Sequence, residues 1–205
     1  MRSFDYIESG KTLLTPHTTS LLAAIHEAKG RQSIQTTIRP DILGTLVAVA
    51  RIQSTDASNR IEGISTSDSR LNDLVSEKVT PRNRNEEEIA GYRDALSVIH
   101  ESHDYIPITP NVILQLHRDL FRHTPLTFAG HFKDSDNVII ERDAHGTSTV
   151  RFAPPSALVT PELIERACSA YTQAIRDGHT DPLLAIAMFI LDFTCIHPFN
   201  DGNGR

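Results

Sequence analysis

Residues 183–205 read LLAIAMFILDFTCIHPFNDGNGR. The run Leu183–Leu191 is the longest apolar stretch in the chain, and Asp192 interrupts it. It is too short for a membrane span and fits a core helix. Directly after it, His197–Arg205 brings a histidine, an acid, amides, two glycines and an arginine together. Pro198 biases His197 to an extended backbone at the start of a loop, and Phe199 is expected to anchor that loop in the core. Gly202 and Gly204 permit close approach of the backbone to a ligand. A helix beginning there would aim free N–H groups into the loop, which makes an anion site suited to phosphate. Arg205 adds a planar charged fork and Asn203 a further donor. Asp201 is a hard oxygen ligand suited to Mg²⁺ bridging phosphates. His197 is the group in the stretch that takes a proton near neutral pH. Singly, each residue fits an ordinary turn. Together they suggest phosphoryl-type chemistry, in which a metal and a backbone nest hold a polyphosphate and a base activates a hydroxyl.

Outward from this stretch, the pattern is helical. Leu21, Leu22, Ala24, Ile25 and Ala28 predict an amphipathic helix from about Pro16 to Lys29, with Gly30 as its stop. A second helix is expected from about 41 to 63, through Leu43, Leu46, Val47, Ala50 and Ile52, ending at Glu62–Gly63. Residues 65–84 read as a polar connector with one short helix near Leu71–Val75. Glu86, Glu87 and Glu88 open the next helix, where they read as a solvated, dipole-matched start. Thr109–Pro110 starts another helix through Val112, Ile113, Leu116, Leu120 and Phe121. His117 on it reads as a satisfied core histidine. From about 128 to 155 the texture becomes β-prone: NVIIE and STVRF flank the turn RDAHG, a hairpin. Helices at about Pro161–Asp177 and Pro182–Cys195 complete an all-α fold with one hairpin.

The 205 residues suit one domain or one with an extension, and 39% hydrophobic content supports a real core. A net charge of −6 and a pI near 5.9 argue against a general nucleic-acid binder. Cys168 and Cys195 have no CxxC spacing and read as buried thiols in a reducing compartment. No secretory signal is visible in MRSFDYIESGK, so a soluble cytoplasmic protein without membrane association is expected.

The stretch His197–Arg205 resembles the Fic family motif HxFx(D/E)GNGRxxR, and the resemblance extends over about Asn85 to Arg205. It implies a Fic-type helical bundle, with a core at 84–205 preceded by an N-terminal helical region at 1–83. It also implies a protein adenylyltransferase that moves AMP from Mg·ATP to a Ser, Thr or Tyr hydroxyl of a target protein. In that reading His197 is the base and Asp201 holds Mg²⁺. Phe199, Asn200, Gly202, Asn203, Gly204 and Arg205 form the nucleotide-binding loop. The hairpin becomes a flap, on whose edge, Asn137, Val138, Ile139 and Ile140, a target segment docks as an added strand.

SNRIEG at 58–63 resembles the family's inhibitory motif (S/T)xxxE(G/N), with Ser58 and Glu62 on one helix face. The resemblance implies that Glu62 enters the ATP site and restrains the transfer. The motif's second arginine would stand at position 208, beyond Arg205, so a shortened chain with an exposed apolar surface and possible self-association is expected. Two alternatives stay open: a de-adenylylating hydrolase using Glu62, and an inactive nucleotide-binding or interaction module.

Overall fold

The computed structural model describes residues 4–38, 40–143 and 146–205. Among them are eight α-helices and one two-stranded antiparallel hairpin. The helices are α1 (Tyr6–Leu13), α2 (Pro16–Ile38), α3 (Pro40–Ile61), α4 (Asp68–Val75), α5 (Arg84–Ser102), α6 (Pro110–Leu120), α7 (Thr160–Arg176) and α8 (Pro182–Ile196). The strands are β1 (Ile139–Arg142) and β2 (Ser148–Phe152). The fold is all-α apart from its hairpin. Among the described residues, no helix is long and apolar enough to cross a membrane.

Local chemistry sets most helix starts. The side chains of Asn83, Thr109 and Asp181 accept backbone N–H bonds at the starts of α5, α6 and α8, and proline occupies the first turn of α6, α7 and α8. One expected helix end fails, and one helix is new. Helix α2 runs through Gly30 to Ile38, because a single mid-helix glycine costs only about 1 kcal/mol. The short helix α1 has no long apolar period. Its buried Tyr6 packs with Ala174 of α7 and with Leu184 and Met188 of α8.

Helices α7 and α8 bury Leu163, Ile164, Ala167, Cys168 and Ile196 in one cluster. A second cluster joins Ala95 of α5 to Leu120 and Phe121 at the end of α6, and a third joins Ile64, Leu71, Leu74 and Ile89. Cys168 is buried and Cys195 half-buried, both as free thiols. On its outer face α8 leaves Ile186 and Ile190 42% and 55% exposed.

Helices α5 and α6 touch at Gly91, where an added Cβ would overlap the carbonyl oxygen of Leu120. Gly91→Ala is expected to destabilise the fold by about 3 kcal/mol, since backbone cannot yield as a flexible side chain can. A urea titration checks this, with a lower midpoint and an unchanged slope as the expected result.

The acidic start of α5 is not a solvated face. Glu86 is 3% exposed and Glu88 2% exposed, while Glu87 keeps partial exposure. Glu86 pairs with the Arg70 guanidinium and accepts from Arg82 N–H at 2.9 Å and Thr66 Oγ1 at 3.2 Å. The Arg70 hydrogen bond foremost lowers the Glu86 carboxyl to about 2, against the cost of burial. The folded value lies below the ordinary 4.5, so this stabilisation is complete above that pH and is lost as pH falls toward 2. Glu86→Gln is expected to cost on the order of 3 kcal/mol at neutral pH, where it strands the arginine. Chemical denaturation at neutral and at strongly acidic pH checks this, the gap closing in acid.

The hairpin pairs Ile139 with Phe152, Ile140 with Val150, Glu141 with Thr149 and Arg142 with Ser148, with a register shift between Ile139 and Ile140. Every strand residue is exposed, so the hairpin projects from the bundle. Of its predicted turn, RDAHG, Ala144 and His145 lie outside the described residues, as do the first three residues of the N-terminal segment.

Candidate active site

The site is built on the C-terminal end of α8. His197 caps that helix with φ 51° and ψ 63°, a left-handed conformation, and its N–H reaches Phe193 C=O at 2.9 Å. Pro198 led to the expectation of an extended His197. The helix-terminal hydrogen bond decides otherwise, because a left-handed cap satisfies a carbonyl that would be left open.

The loop beyond is fixed from inside. Asn203 is 8% exposed, and its side chain brackets Phe199, accepting the Phe199 N–H at 2.9 Å and donating to its C=O at 2.9 Å. Phe199 is buried, with its ring 3.7 Å from the His117 ring and parallel within 4°. His117 Nδ1 accepts the Gly130 N–H at 2.9 Å. That assigns the proton to Nε2, which donates to Asp201 C=O at 3.1 Å. Burial lowers the His117 imidazole to about 4, so it stays neutral and keeps this tautomer. His117 is the satisfied core histidine that its helical position suggested, and it pins the loop.

Asp201 Oδ1 accepts the Gly202 N–H at 2.7 Å. Its Oδ2 faces outward, 3.4 Å from Arg84 Nη2, with the side chain 38% exposed. No group of three or more His, Cys, Asp or Glu side chains converges on a metal position among the described residues. A single outward carboxylate still fits Mg²⁺, which commonly takes one or two carboxylates and completes its shell with phosphates and water. Gly202 has φ 78°, and a Cβ there would stand 3.1 Å from the Phe121 ring. Asn200 is exposed.

Glu62, the residue after the end of α3, reaches this loop. Its Oε1 accepts the Gly204 N–H at 2.6 Å. A carboxylate of the chain itself thus occupies a backbone donor of the loop where a nucleotide phosphate is expected. Gly63, just past α3, has φ 75° and turns the chain there. Ser58 does not enter the site. Its hydroxyl lies 2.9 Å from Tyr92 Oη of α5, which Ser54 also meets at 3.2 Å, and Arg51 bonds Ser97. This polar seam seats α3 on α5 and so aims Glu62.

Arg205 faces inward, its side chain fully buried, with Cζ 4.6 Å over the Phe121 ring. Nη2 stands 2.9 Å from Glu88 Oε2. The contact is an ion pair, and the Arg205 nitrogens have no hydrogen-bond partner among the described residues. Glu88 also accepts from Arg84 Nε at 2.8 Å. Arg205 therefore pairs with Glu88, not with Glu62. A buried guanidinium behind the loop adds positive charge there, which favours an anion in the nest.

Burial lowers the His197 imidazole first, and the Lys133 charge lowers it further. A hydrogen bond with the Thr194 backbone and the Glu62 charge oppose the shift. The ring is therefore predominantly neutral at neutral pH, the form a general base needs. Lys133 itself, 3% exposed, escaped the sequence reading, since a lone lysine in GHFKD carries no spacing signal. Asn137 bonds to the site through its side chain, with Nδ2 3.3 Å from Phe199 C=O, whereas Val138, Ile139 and Ile140 are exposed on the hairpin.

The sequence model of the Fic/DOC family matches residues 107–205. No curated protein matches the chain. Among solved structures, the fold is similar to a Fic domain containing signaling protein from Bacteroides thetaiotaomicron, with a TM-score of 0.70 and 23% identity over 81% of this chain. The match spans 62% of the length of that protein. Residues 107–205 thus match the Fic/DOC family, and the helical fold around them is similar to that of a Fic domain protein.

Proposed function

We propose that the protein is an adenylyltransferase that moves AMP from Mg·ATP to a hydroxyl of a target protein, and that Glu62 restrains it. The observation that carries this reading is the bond from Gly204 N–H to Glu62 Oε1 in the loop that begins at His197. A loop built to hold an anion, already occupied by an internal carboxylate, favours a phosphate-bearing substrate that must displace it.

The roles follow from position. His197 Nε2 or Nδ1 takes the proton of the target Ser, Thr or Tyr hydroxyl. That oxygen bonds to the α-phosphorus, the bond to the oxygen bridging α and β breaks, and pyrophosphate leaves. The Gly204 N–H, once Glu62 leaves it, is suited to a phosphate oxygen, and the Arg205 charge behind the loop favours an anion there. Asp201 would hold Mg²⁺, which supplies charge neutralisation to the leaving pyrophosphate. Glycine at 202 and 204 keeps room for an α-phosphate pose, which supports AMP transfer over γ-phosphoryl transfer. The segment Asn137–Ile140, which leads into the edge of β1, is suited to docking an extended target segment through its backbone groups. A second copy of the chain is a further candidate partner.

The test uses wild type and Glu62→Gly with Mg²⁺, cell lysate and ATP labelled at the α- or the γ-phosphate. Protein label from the α position, stronger in the variant, is the expected result. Label only from γ would make the protein a kinase. No label from either, with AMP released from a modified target, would favour the hydrolase.

A further inference from the structure

Two residues just before the hairpin, Lys133 and Asn137, hold the carbonyls around His197. Lys133 N–H donates to Pro198 C=O at 2.8 Å. Lys133 Nζ donates to Ile196 C=O at 3.1 Å and to Asn137 Oδ1 at 3.0 Å. An ammonium only donates, so the Asn137 oxygen must face it, and the amide NH₂ then faces Phe199 C=O. The carbonyls of the residues before and after His197, Ile196 and Pro198, are thus both held by Lys133, and the next carbonyl, that of Phe199, by Asn137. Asp136 Oδ1 accepts the Ala157 N–H at 2.7 Å, which anchors the same segment to the chain beyond the hairpin. Strand β1 starts two residues after Asn137.

This arrangement is costly unless it is used. An ammonium 3% exposed loses much of its hydration, and burial lowers the Lys133 ammonium, opposed only by Asp136. Its one backbone partner on α8 is the carbonyl immediately before His197. There the negative end of the helix dipole offsets the charge. Methionine could fill such a space at less electrostatic cost, but would leave the Ile196 carbonyl without this donor.

We propose that Lys133 is a positioning residue for His197, which with Asn137 clasps the carbonyls flanking the base and locks the imidazole to the root of the hairpin. The proposal rests on His197 being the base of the reading above. It gives target docking a mechanical route to the chemistry. A segment bound along β1 pulls on Asn137, and Asn137 and Lys133 hold the His197 turn. The charged groups facing His197 are Lys133 from the pre-hairpin segment and Glu62 from just past α3, with the Thr194 backbone bonding it from α8. Removing the Lys133 charge leaves Glu62 as the dominant charged neighbour.

The test follows the His197 imidazole by NMR titration in the full chain, comparing wild type, Lys133→Gln and Lys133→Arg, with folding checked by circular dichroism and melting. Glutamine keeps an N–H donor and removes the charge, whereas arginine keeps both. The His197 midpoint is expected to rise by about one pH unit in Lys133→Gln and to stay near wild type in Lys133→Arg. A purely structural lysine would lower the melting temperature and leave the midpoint where it was, which would overturn the proposal. Asn137→Ala provides a second measure that does not depend on the lysine variants folding. Amide exchange at His197 and Phe199 is expected to quicken, and unchanged exchange would overturn the clasp. AMP transfer in a Glu62→Gly background is read separately, where Lys133→Gln is expected to fall about ten- to a hundredfold. If Glu62→Gly transfers no AMP while the His197 midpoint shifts as expected, the enzymatic reading fails and the clasp stands.

Discussion

Replacing His197 with alanine in a Glu62→Gly background is expected to lower AMP transfer by about a thousandfold or more, the scale on which a positioned general base acts. The residue sits where few substitutes would serve. Its backbone is left-handed, its ring is partly buried, and burial with Lys133 holds the ring neutral. The substitution removes the base and leaves the loop's anchors, His117, Asn203 and Phe199, in place. ATP binding should therefore change little while turnover collapses. Equilibrium binding of a non-hydrolysable ATP analogue, set beside the labelled-AMP assay, separates the two. Loss of binding together with turnover would assign His197 to the architecture of the loop instead. The same logic predicts a pH profile. Activity should rise as His197 loses its proton, with the midpoint below that of an ordinary histidine because its folded value is lowered.

Glu62→Gly is expected to raise AMP transfer by about ten- to a hundredfold, the equivalent of one charge-assisted hydrogen bond to the loop. The bond from Gly204 N–H to Glu62 Oε1 is 2.6 Å and solvent-accessible, which places the effect toward the lower end of that range. Because the carboxylate and an incoming phosphate seek the same donor, the variant should also bind ATP more tightly. Calorimetry with Mg·ATP checks this. Glu62→Gln is the informative intermediate: it keeps the acceptor and removes the charge, so activation should fall between wild type and glycine. Equal transfer by wild type and Glu62→Gly would remove the brake from the account. Tyr92→Phe should act in the same direction more weakly, since it removes the hydroxyl that meets Ser54 and Ser58 across the α3–α5 seam.

Much of this architecture is legible in the chain. Capping residues and prolines set the starts of α5, α6, α7 and α8, and the alternating pieces at 138–152 give the hairpin, because these signals are local and carry their own stereochemistry. The elements misread are those that packing decides. Gly30 failed to end α2 because a lone glycine is a weak stop. Helix α1 forms where Tyr6 finds a hole between α7 and α8, a fact about residues about 170 positions away. The acids of α5 looked solvated because their partners, Arg70 and Arg205, lie sixteen residues back and over a hundred ahead.

The site divides along the same line. The sequence by itself determined the chemical inventory: a base, a hard carboxylate and a glycine-flanked nest by residue type and spacing, and a carboxylate on an upstream helix by its resemblance to an inhibitory motif. Tertiary structure decided which of these meet. It brings Glu62 to Gly204 across 142 positions, turns Arg205 inward onto Glu88, and sends Ser58 to Tyr92. It also recruits His117 and Lys133, two residues with no motif around them, to fix the loop that His197 begins. The reason is physical. Spacing along a chain constrains neighbours within a few turns, whereas a buried charge or an open carbonyl is satisfied by whichever group the packed helices place within about 3 Å.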